Sequence, residues 1–171
     1  MANTVLVIDM LKGFLEEKYP LYCGIQARKI IPNIQNLLDR EIIKGSKIIF
    51  ICDSHNPKDL EFKIFPPHCI KGTPEAQIIP EFESYPSVII TKKRYSAFYG
   101  TNLTEVLSEL KPEKLIICGV CTDICVLHTI AEARNREYEG EVPVNCVASF
   151  NTEAHNQALI HIEKILGAKL T

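Results

Sequence analysis

The sequence lacks any apolar run that approaches the length of a membrane span, and its first residues lack the basic-then-apolar pattern of a signal peptide. It also lacks an excess of positive charge, because the formal net charge of its 171 residues is −2. Without that excess there is little to attract nucleic acids or anionic membranes. We therefore expect a cytoplasmic protein with no nucleic-acid partner and no membrane partner.

Glycine-rich phosphate-binding signatures are absent too: the chain contains neither GxGxxG nor GxxxxGK[ST], so dinucleotide and P-loop chemistry has no support. The chain contains seven cysteines, which is an odd number. Cys52, Cys118 and Cys146 lie in apolar, strand-like runs, where a reduced cysteine behaves as a small hydrophobe. A disulfide framework is therefore not expected.

Short apolar runs alternate with segments of helical periodicity along the whole chain, with no internal repeat or low-complexity tract. This alternation is typical of βαβ units and predicts one α/β domain over residues 1–171, a three-layer Rossmann-like fold with a parallel central sheet flanked by helices. The predicted strands are 4–8, 47–52, 87–91, 114–118 and 142–147, and the predicted helices are 30–42, 103–110, 122–137 and 152–166. Residues 10–24 and 53–82 are predicted loops.

Reactive side chains follow four of these strands: Asp9, Asp53, Lys92 and the segment 119–125. In parallel sheets ligands bind at the carboxyl ends of the strands, so we expect these groups to meet at one edge. Cys125 comes where a strand turns into a helix, with Thr122 as the predicted N-cap. Free N–H groups and the helix dipole there would favour a thiolate, so Cys125 is a candidate nucleophile.

Four segments in order make the chain similar to the isochorismatase-like cysteine hydrolases, and among them most similar to the nicotinamidases (pyrazinamidases). The segments are Ile8-Asp9-Met10-Leu11-Lys12-Gly13-Phe14, Asp53-Ser54-His55 with Pro66-Pro67-His68-Cys69, Lys92 to Phe98, and Gly119 to Val126. The chain departs from the family pattern at Leu11, where many relatives have Gln.

The resemblance implies a catalytic triad of Asp9, Lys92 and Cys125. Asp9 would take the proton of Cys125, and the lysine ammonium would hold thiolate and carboxylate together and depress the pKa of the cysteine. The thiolate would attack an amide carbonyl and form a thioester. Backbone N–H groups of Cys121 and Cys125 would form the oxyanion hole, next to a cis peptide between Val120 and Cys121.

A divalent metal site is the feature that indicates a nicotinamidase. Asp53, His55 and His68 are the expected ligands, and their oxygen and imidazole donors suit zinc first, with manganese or iron as alternatives. Glu61 is the expected fourth ligand, with Asp59 as the competing choice. Phe14, Phe65 and Tyr95 match aromatic positions that would flank the substrate ring. The implied reaction converts nicotinamide to nicotinate and ammonia in NAD salvage, and a homo-oligomer is expected.

Other interpretations remain open from the sequence. The same fold and triad could act on another small amide, a carbamoyl compound or an isochorismate-type ether. The chain could instead be a non-catalytic protein that binds a metal or metabolite. Cys121 or Cys118 could work with Cys125 in thiol redox chemistry, or Cys121 and Cys125 could bind a metal together.

Overall fold

A seven-stranded, all-parallel sheet forms the centre of the computed structural model, which describes residues 2–171. The strands lie in the order β3-β2-β1-β4-β5-β7, and β6 pairs with the carboxyl end of β4. They are β1 (Thr4–Ile8), β2 (Lys47–Asp53), β3 (Val88–Lys92), β4 (Leu115–Val120), β5 (Gly140–Val142), β6 (Val147–Ala148) and β7 (Lys169–Leu170). This confirms the predicted parallel α/β fold.

Helices cover both faces of the sheet because the central strands are apolar on both faces. In β1, Val5 and Val7 join one core cluster, while Leu6 and Ile8 join the other. The first cluster packs under the N-terminal helices and the second under the C-terminal ones. The helices are α1 (Lys12–Leu15), α2 (Ile25–Lys29), α3 (Ile31–Ile43), α4 (Leu103–Leu110), α5 (Leu127–Asn135) and α6 (Thr152–Lys164).

Five elements differ from the prediction, and two of them, the short helix α2 and the short strand β7, were not predicted at all. The fifth strand is interrupted, since Pro143 leads into a 3₁₀ turn over Val144–Cys146 that separates β5 from β6. The helix expected from residue 122 begins instead with a π-helical turn, Thr122–Val126, before α5. The loop 10–24 contains the single turn of α1.

The long segment between β2 and β3 is irregular, as expected, and holds the 3₁₀ turns Leu60–Lys63, Pro74–Ala76 and Pro80–Phe82. It crosses the carboxyl edge of the sheet, where His55 bridges to Ile70 and Leu11 bridges to Ile78. Leu11 itself is fully buried in the first core cluster. Among residues 2–171, no helix has the length and apolar character needed to cross a membrane.

Gly119 allows β1 and β4 to approach each other just before the turn that carries Cys125. Its φ is +113°, and a Cβ built on it would lie 2.1 Å from the carbonyl oxygen of Ile8. We expect Gly119→Ala to lower the free energy of unfolding by about 3 kcal/mol or more, since backbone strain and overpacking add together. Urea denaturation of purified protein would measure the loss.

Gly45→Ala is the matched control, because Gly45 also has a positive φ (+82°) but has nothing within 4 Å of a built Cβ. Its expected cost is that of the backbone conformation alone, about 1–2 kcal/mol. Equal losses for the two variants would contradict the close approach at Gly119.

Candidate active site

Lys92, Asp9 and Cys125 meet in the buried space at the carboxyl edge of the sheet. Lys92 is the last residue of β3, Asp9 directly follows β1, and Cys125 lies in the π-helical turn. The ammonium nitrogen of Lys92 is 2.9 Å from Oδ2 of Asp9 and 3.4 Å from Sγ of Cys125. The structure thus brings together the three side chains that the family resemblance implied as a triad.

Asp53 is the second carboxylate on Lys92, a contact that sequence reasoning did not foresee. The Lys92 ammonium donates to Oδ1 of Asp53, and the backbone N–H of Asp53 donates to Oδ1 of Asp9 at 2.9 Å. Lys92 and both carboxylates are almost completely buried. One ammonium therefore compensates two buried carboxylates that also hold each other in place.

These charges shift the pKa values in opposite directions. Burial, followed by the charge of Asp53, raises the pKa of Asp9 to about 6 in spite of Lys92. Burial would also raise the pKa of Asp53, but Lys92 and the neighbouring histidines lower it overall. Burial opposes the charge on Lys92, yet Asp53 and Asp9 outweigh burial and raise the lysine pKa well above its usual value.

The Cys125 thiol does not have the depressed pKa that its place at a helix start predicted. Burial raises its pKa well above the usual value, and the attraction of Lys92 only partly offsets this. Its Sγ lies within 4.8 Å of carboxylate oxygens of Asp9 and Asp53. Cys125 is therefore a buried thiol group with a raised pKa, beside a carboxylate whose pKa is raised as well.

The turn that holds Cys125 is built differently from the expected N-capped helix. Cys121, not Thr122, precedes the π-helical turn, and the Thr122 hydroxyl lies 2.7 Å from Nδ1 of His155 in α6. The peptide bond between Val120 and Cys121 is cis, as the family resemblance implied. The predicted capping role of Thr122 was wrong, because its side chain contacts a neighbouring helix instead of the turn.

Four polar side chains face one another beside the triad. Nε2 of His55 is 3.4 Å from Oδ2 of Asp53 and 3.9 Å from Oε1 of Glu61. Nε2 of His68 is 3.8 Å and 3.6 Å from the same two oxygens. Asp53, His55 and His68 are buried, and the His55 ring nitrogens make no hydrogen bond within the described residues. Such an unsatisfied imidazole, facing carboxylates at these spacings, fits a divalent cation.

Asp59 lies behind this group and does not face its centre. Its Oδ2 is 3.2 Å from Nδ1 of His55, the nitrogen that points away from Asp53 and Glu61. Nδ1 of His68 has an equivalent neighbour, the carbonyl oxygen of Pro66 at 2.8 Å. Of the two candidates for a fourth ligand, the structure thus places Glu61 with the others and Asp59 outside them.

One pocket opens onto both the triad and the candidate metal group. Cys125, Asp9, Asp53, Glu61 and His68 line it. Phe14, Phe65 and Tyr95, the three aromatic side chains predicted to flank a substrate, also line it. Sequence reasoning missed Leu21, Ile124 and Phe150. Phe150 could have been found, because it follows β6 at the carboxyl edge of the sheet.

The thiols next to Cys125 do not favour the redox alternative. Cys118 and Cys121 have the CxxC spacing, but Cys118 is buried in β4 with its Sγ 3.7 Å from the carbonyl oxygen of Leu6. The Cys121 sulfur lies instead 3.4 Å from that of Cys23. Cys125 has Lys92 as its neighbour, which is an arrangement for nucleophilic chemistry.

Known proteins resemble the chain over nearly its whole length. The isochorismatase domain family matches residues 3–171. An uncharacterized isochorismatase family protein PncA of Bacillus subtilis is 38% identical over 99% of both chains.

Solved structures of similar proteins have the same fold over nearly the whole chain. The nicotinamidase/pyrazinamidase PncA of B. subtilis superposes with a TM-score of 0.92 at 36% identity over 100% of both chains. The pyrazinamidase of Pyrococcus horikoshii, crystallised in complex with zinc, has a TM-score of 0.91 at 27% identity, over 100% of this chain and 99% of its own. The N-carbamoylsarcosine amidase of Thermoplasma acidophilum has a TM-score of 0.89 at 28% identity, over 100% and 96%.

The buried charge cluster predicts a large stability cost for Lys92→Met. Removal of the ammonium leaves Asp9 and Asp53 buried without a counter-charge, which costs about 3–5 kcal/mol for a broken buried pair. Lys93→Met is the control, because Lys93 is exposed and the same change there should stay within about 0.5 kcal/mol. Urea denaturation near neutral pH would compare the two, and similar losses would refute the compensating role of Lys92.

Proposed function

Because the chain belongs to the isochorismatase family, we propose that it is a metal-dependent cysteine hydrolase that converts nicotinamide to nicotinate and ammonia. Its enzyme class is that of an amidohydrolase acting on carboxamide C–N bonds. The observation that carries the proposal is the shared pocket: a cysteine beside a buried Lys–Asp pair and a cluster of candidate metal ligands line the same space.

Asp9 begins the reaction by accepting the proton of the Cys125 thiol. Its raised pKa suits this task, since a base that holds a proton near neutral pH can also return it. The thiolate that forms lies beside the Lys92 ammonium, which stabilises the new negative charge. Sγ then attacks the carboxamide carbon, and the carbonyl π electrons move to oxygen.

The tetrahedral oxyanion would be held by backbone N–H groups of Cys121 and Cys125. When it collapses, the C–N bond breaks and the proton from Asp9 goes to the leaving nitrogen, so ammonia departs. The acyl group is left as a thioester on Cys125. Water then adds to the thioester while Asp9 takes its proton, and the C–S bond breaks. The sulfur recovers the proton from Asp9, and the new carboxylic acid leaves and gives its own proton to solvent as nicotinate.

Asp53, His55, Glu61 and His68 would hold a divalent cation, and the zinc in the P. horikoshii relative supports zinc as the candidate. When bound, such a cation would supply a Lewis-acid contact for the pyridine nitrogen of the substrate. Phe14, with the partly exposed Phe65 and Tyr95, would flank the ring. These contacts would orient the carboxamide toward Cys125.

A small carbamoyl compound is the second candidate, supported by the similarity to an N-carbamoylsarcosine amidase. That substrate carries a carboxylate. The carboxylates of Asp9, Asp53 and Glu61 line the pocket of this chain, and no arginine lines it among residues 2–171. Without an arginine to bind that carboxylate, the lining favours a neutral amide. Cytoplasmic location, a role in NAD salvage and homo-oligomerisation stay predictions.

The nucleophile is tested by ammonia release from nicotinamide. Cys125→Ala should lower the rate by at least about 10³-fold, because the thioester route is closed. Cys146→Ala is the control, since Cys146 is also a buried thiol but lies outside the pocket, and the activity of this variant should stay near wild type. Unchanged activity in Cys125→Ala would overturn the mechanism. If wild type with metal released ammonia only from N-carbamoyl compounds, the second candidate would replace nicotinamide.

Metal dependence is tested with a chelator and by substitution of His68. Wild type dialysed against the chelator should lose ammonia release and regain it with zinc. His68→Ala should lose at least about 100-fold, since even groups behind the ligands matter by about 10–100-fold. His161→Ala is the control, because His161 is an exposed histidine of α6. Full activity after thorough removal of metal would refute the role given to these side chains.

A further inference from the structure

We propose that Asp59 is a positioning residue that prepares His55 and Glu61 for metal binding, and that Arg94 holds Asp59 in place. The inference rests on the proposed metal site. It assigns to Asp59 a role other than that of a metal ligand. It also assigns to Arg94, which belongs to the same segment as Lys92, the role of holding Asp59 in place. Each step follows from a contact of the Asp59 carboxylate, whose side chain is 4% exposed.

The first oxygen of Asp59 sets the tautomer of His55. Oδ2 lies 3.2 Å from Nδ1 of His55, while Nε2 points toward Asp53 and Glu61. A neutral imidazole carries a single N–H, and an ionised carboxylate can only accept. The contact is not a well-aligned hydrogen bond, but a carboxylate at this distance favours the tautomer with its hydrogen on Nδ1, which leaves the lone pair of Nε2 free to bind a cation.

The second oxygen positions Glu61. Oδ1 accepts the backbone N–H of Glu61 at 2.9 Å and so caps the 3₁₀ turn Leu60–Lys63, the turn that presents the Glu61 carboxylate to the histidines. One carboxylate thus fixes two candidate ligands, one through its ring and one through its backbone. His68 needs no such partner, because its Nδ1 faces the carbonyl oxygen of Pro66.

Arg94 connects this arrangement to the triad. Its Nη1 lies 2.9 Å from Oδ1 of Asp59, and the guanidinium also donates to the carbonyl oxygen of Lys93. Arg94 lies two residues after Lys92, just beyond the end of β3. The pairing holds the Asp59 carboxylate turned toward His55, since a guanidinium that donates to a carboxylate oxygen fixes its orientation.

Asp59→Asn separates this role from simple packing. The amide oxygen can still accept the N–H of Glu61, so the turn keeps its cap. The amide nitrogen, however, would face the N–H of His55, so two hydrogen-bond donors would oppose each other. This arrangement favours the tautomer of His55 with its hydrogen on Nε2. Zinc binding to metal-free protein, measured by calorimetry, should weaken by about 10–100-fold. Asp39→Asn is the control, since it removes the same charge at the exposed hydroxyl contact of Tyr85.

Nitrogen NMR of the imidazoles in metal-free protein at alkaline pH gives a readout that does not depend on metal. Wild type should show His55 protonated at Nδ1, and Asp59→Asn should show it protonated at Nε2. Arg94→Met, which leaves Asp59 itself intact, should weaken zinc binding by several-fold. It provides the test if Asp59→Asn does not fold.

The two proposals fail in different ways. If wild type bound no zinc but changed tautomer in Asp59→Asn, the metal site would be wrong while the control of His55 by Asp59 would stand. If wild type bound zinc and Asp59→Asn bound it equally, with Nδ1 still protonated, the positioning role would be overturned and the metal site would stand.

Discussion

The buried ammonium of Lys92 is the interaction on which the active-site edge depends. It contacts Asp9, which follows β1, Asp53, which ends β2, and Cys125, which lies in the π-helical turn. Burying one ammonium and two carboxylates has a high free-energy cost unless each charge has a partner. Removal of one partner leaves the remaining charges buried without compensation. The ends of β1, β2 and β3 and the nucleophile turn are therefore fixed relative to one another by charge as well as by the sheet.

Asp53 makes the triad and the candidate metal group parts of one structure. Its Oδ1 accepts from Lys92, and its Oδ2 faces the two histidines. The same residue donates its backbone N–H to Asp9. Nucleophilic chemistry and substrate orientation would consequently share a carboxylate, so a change in the electrostatics of one is felt by the other.

The sequence predicted the parts of the site that follow from sheet topology. Residues that end parallel strands meet at one edge whatever their loops do, so Asp9, Asp53 and Lys92 could be placed together from periodicity alone. The pKa of Cys125 could not be predicted in this way, because helix-start chemistry favours thiolate while burial, which depends on the tertiary structure, opposes it more strongly. The roles of Asp59 and Thr122 were missed for a related reason. Their partners, His55 with Arg94 and His155, are chosen by the packing of distant segments.

The double use of Asp53 limits the order in which substitutions can accumulate during divergence of this fold. A descendant that no longer needed a metal could lose His55, Glu61 or His68 one at a time, since none of these side chains is paired with Lys92 in this structure. It could not begin with Asp53, because that step would also disturb the lysine beside the nucleophile. We expect the aspartate to outlast the histidines in lineages that abandon the metal, because its contact with Lys92 serves the nucleophile whether or not a metal is bound.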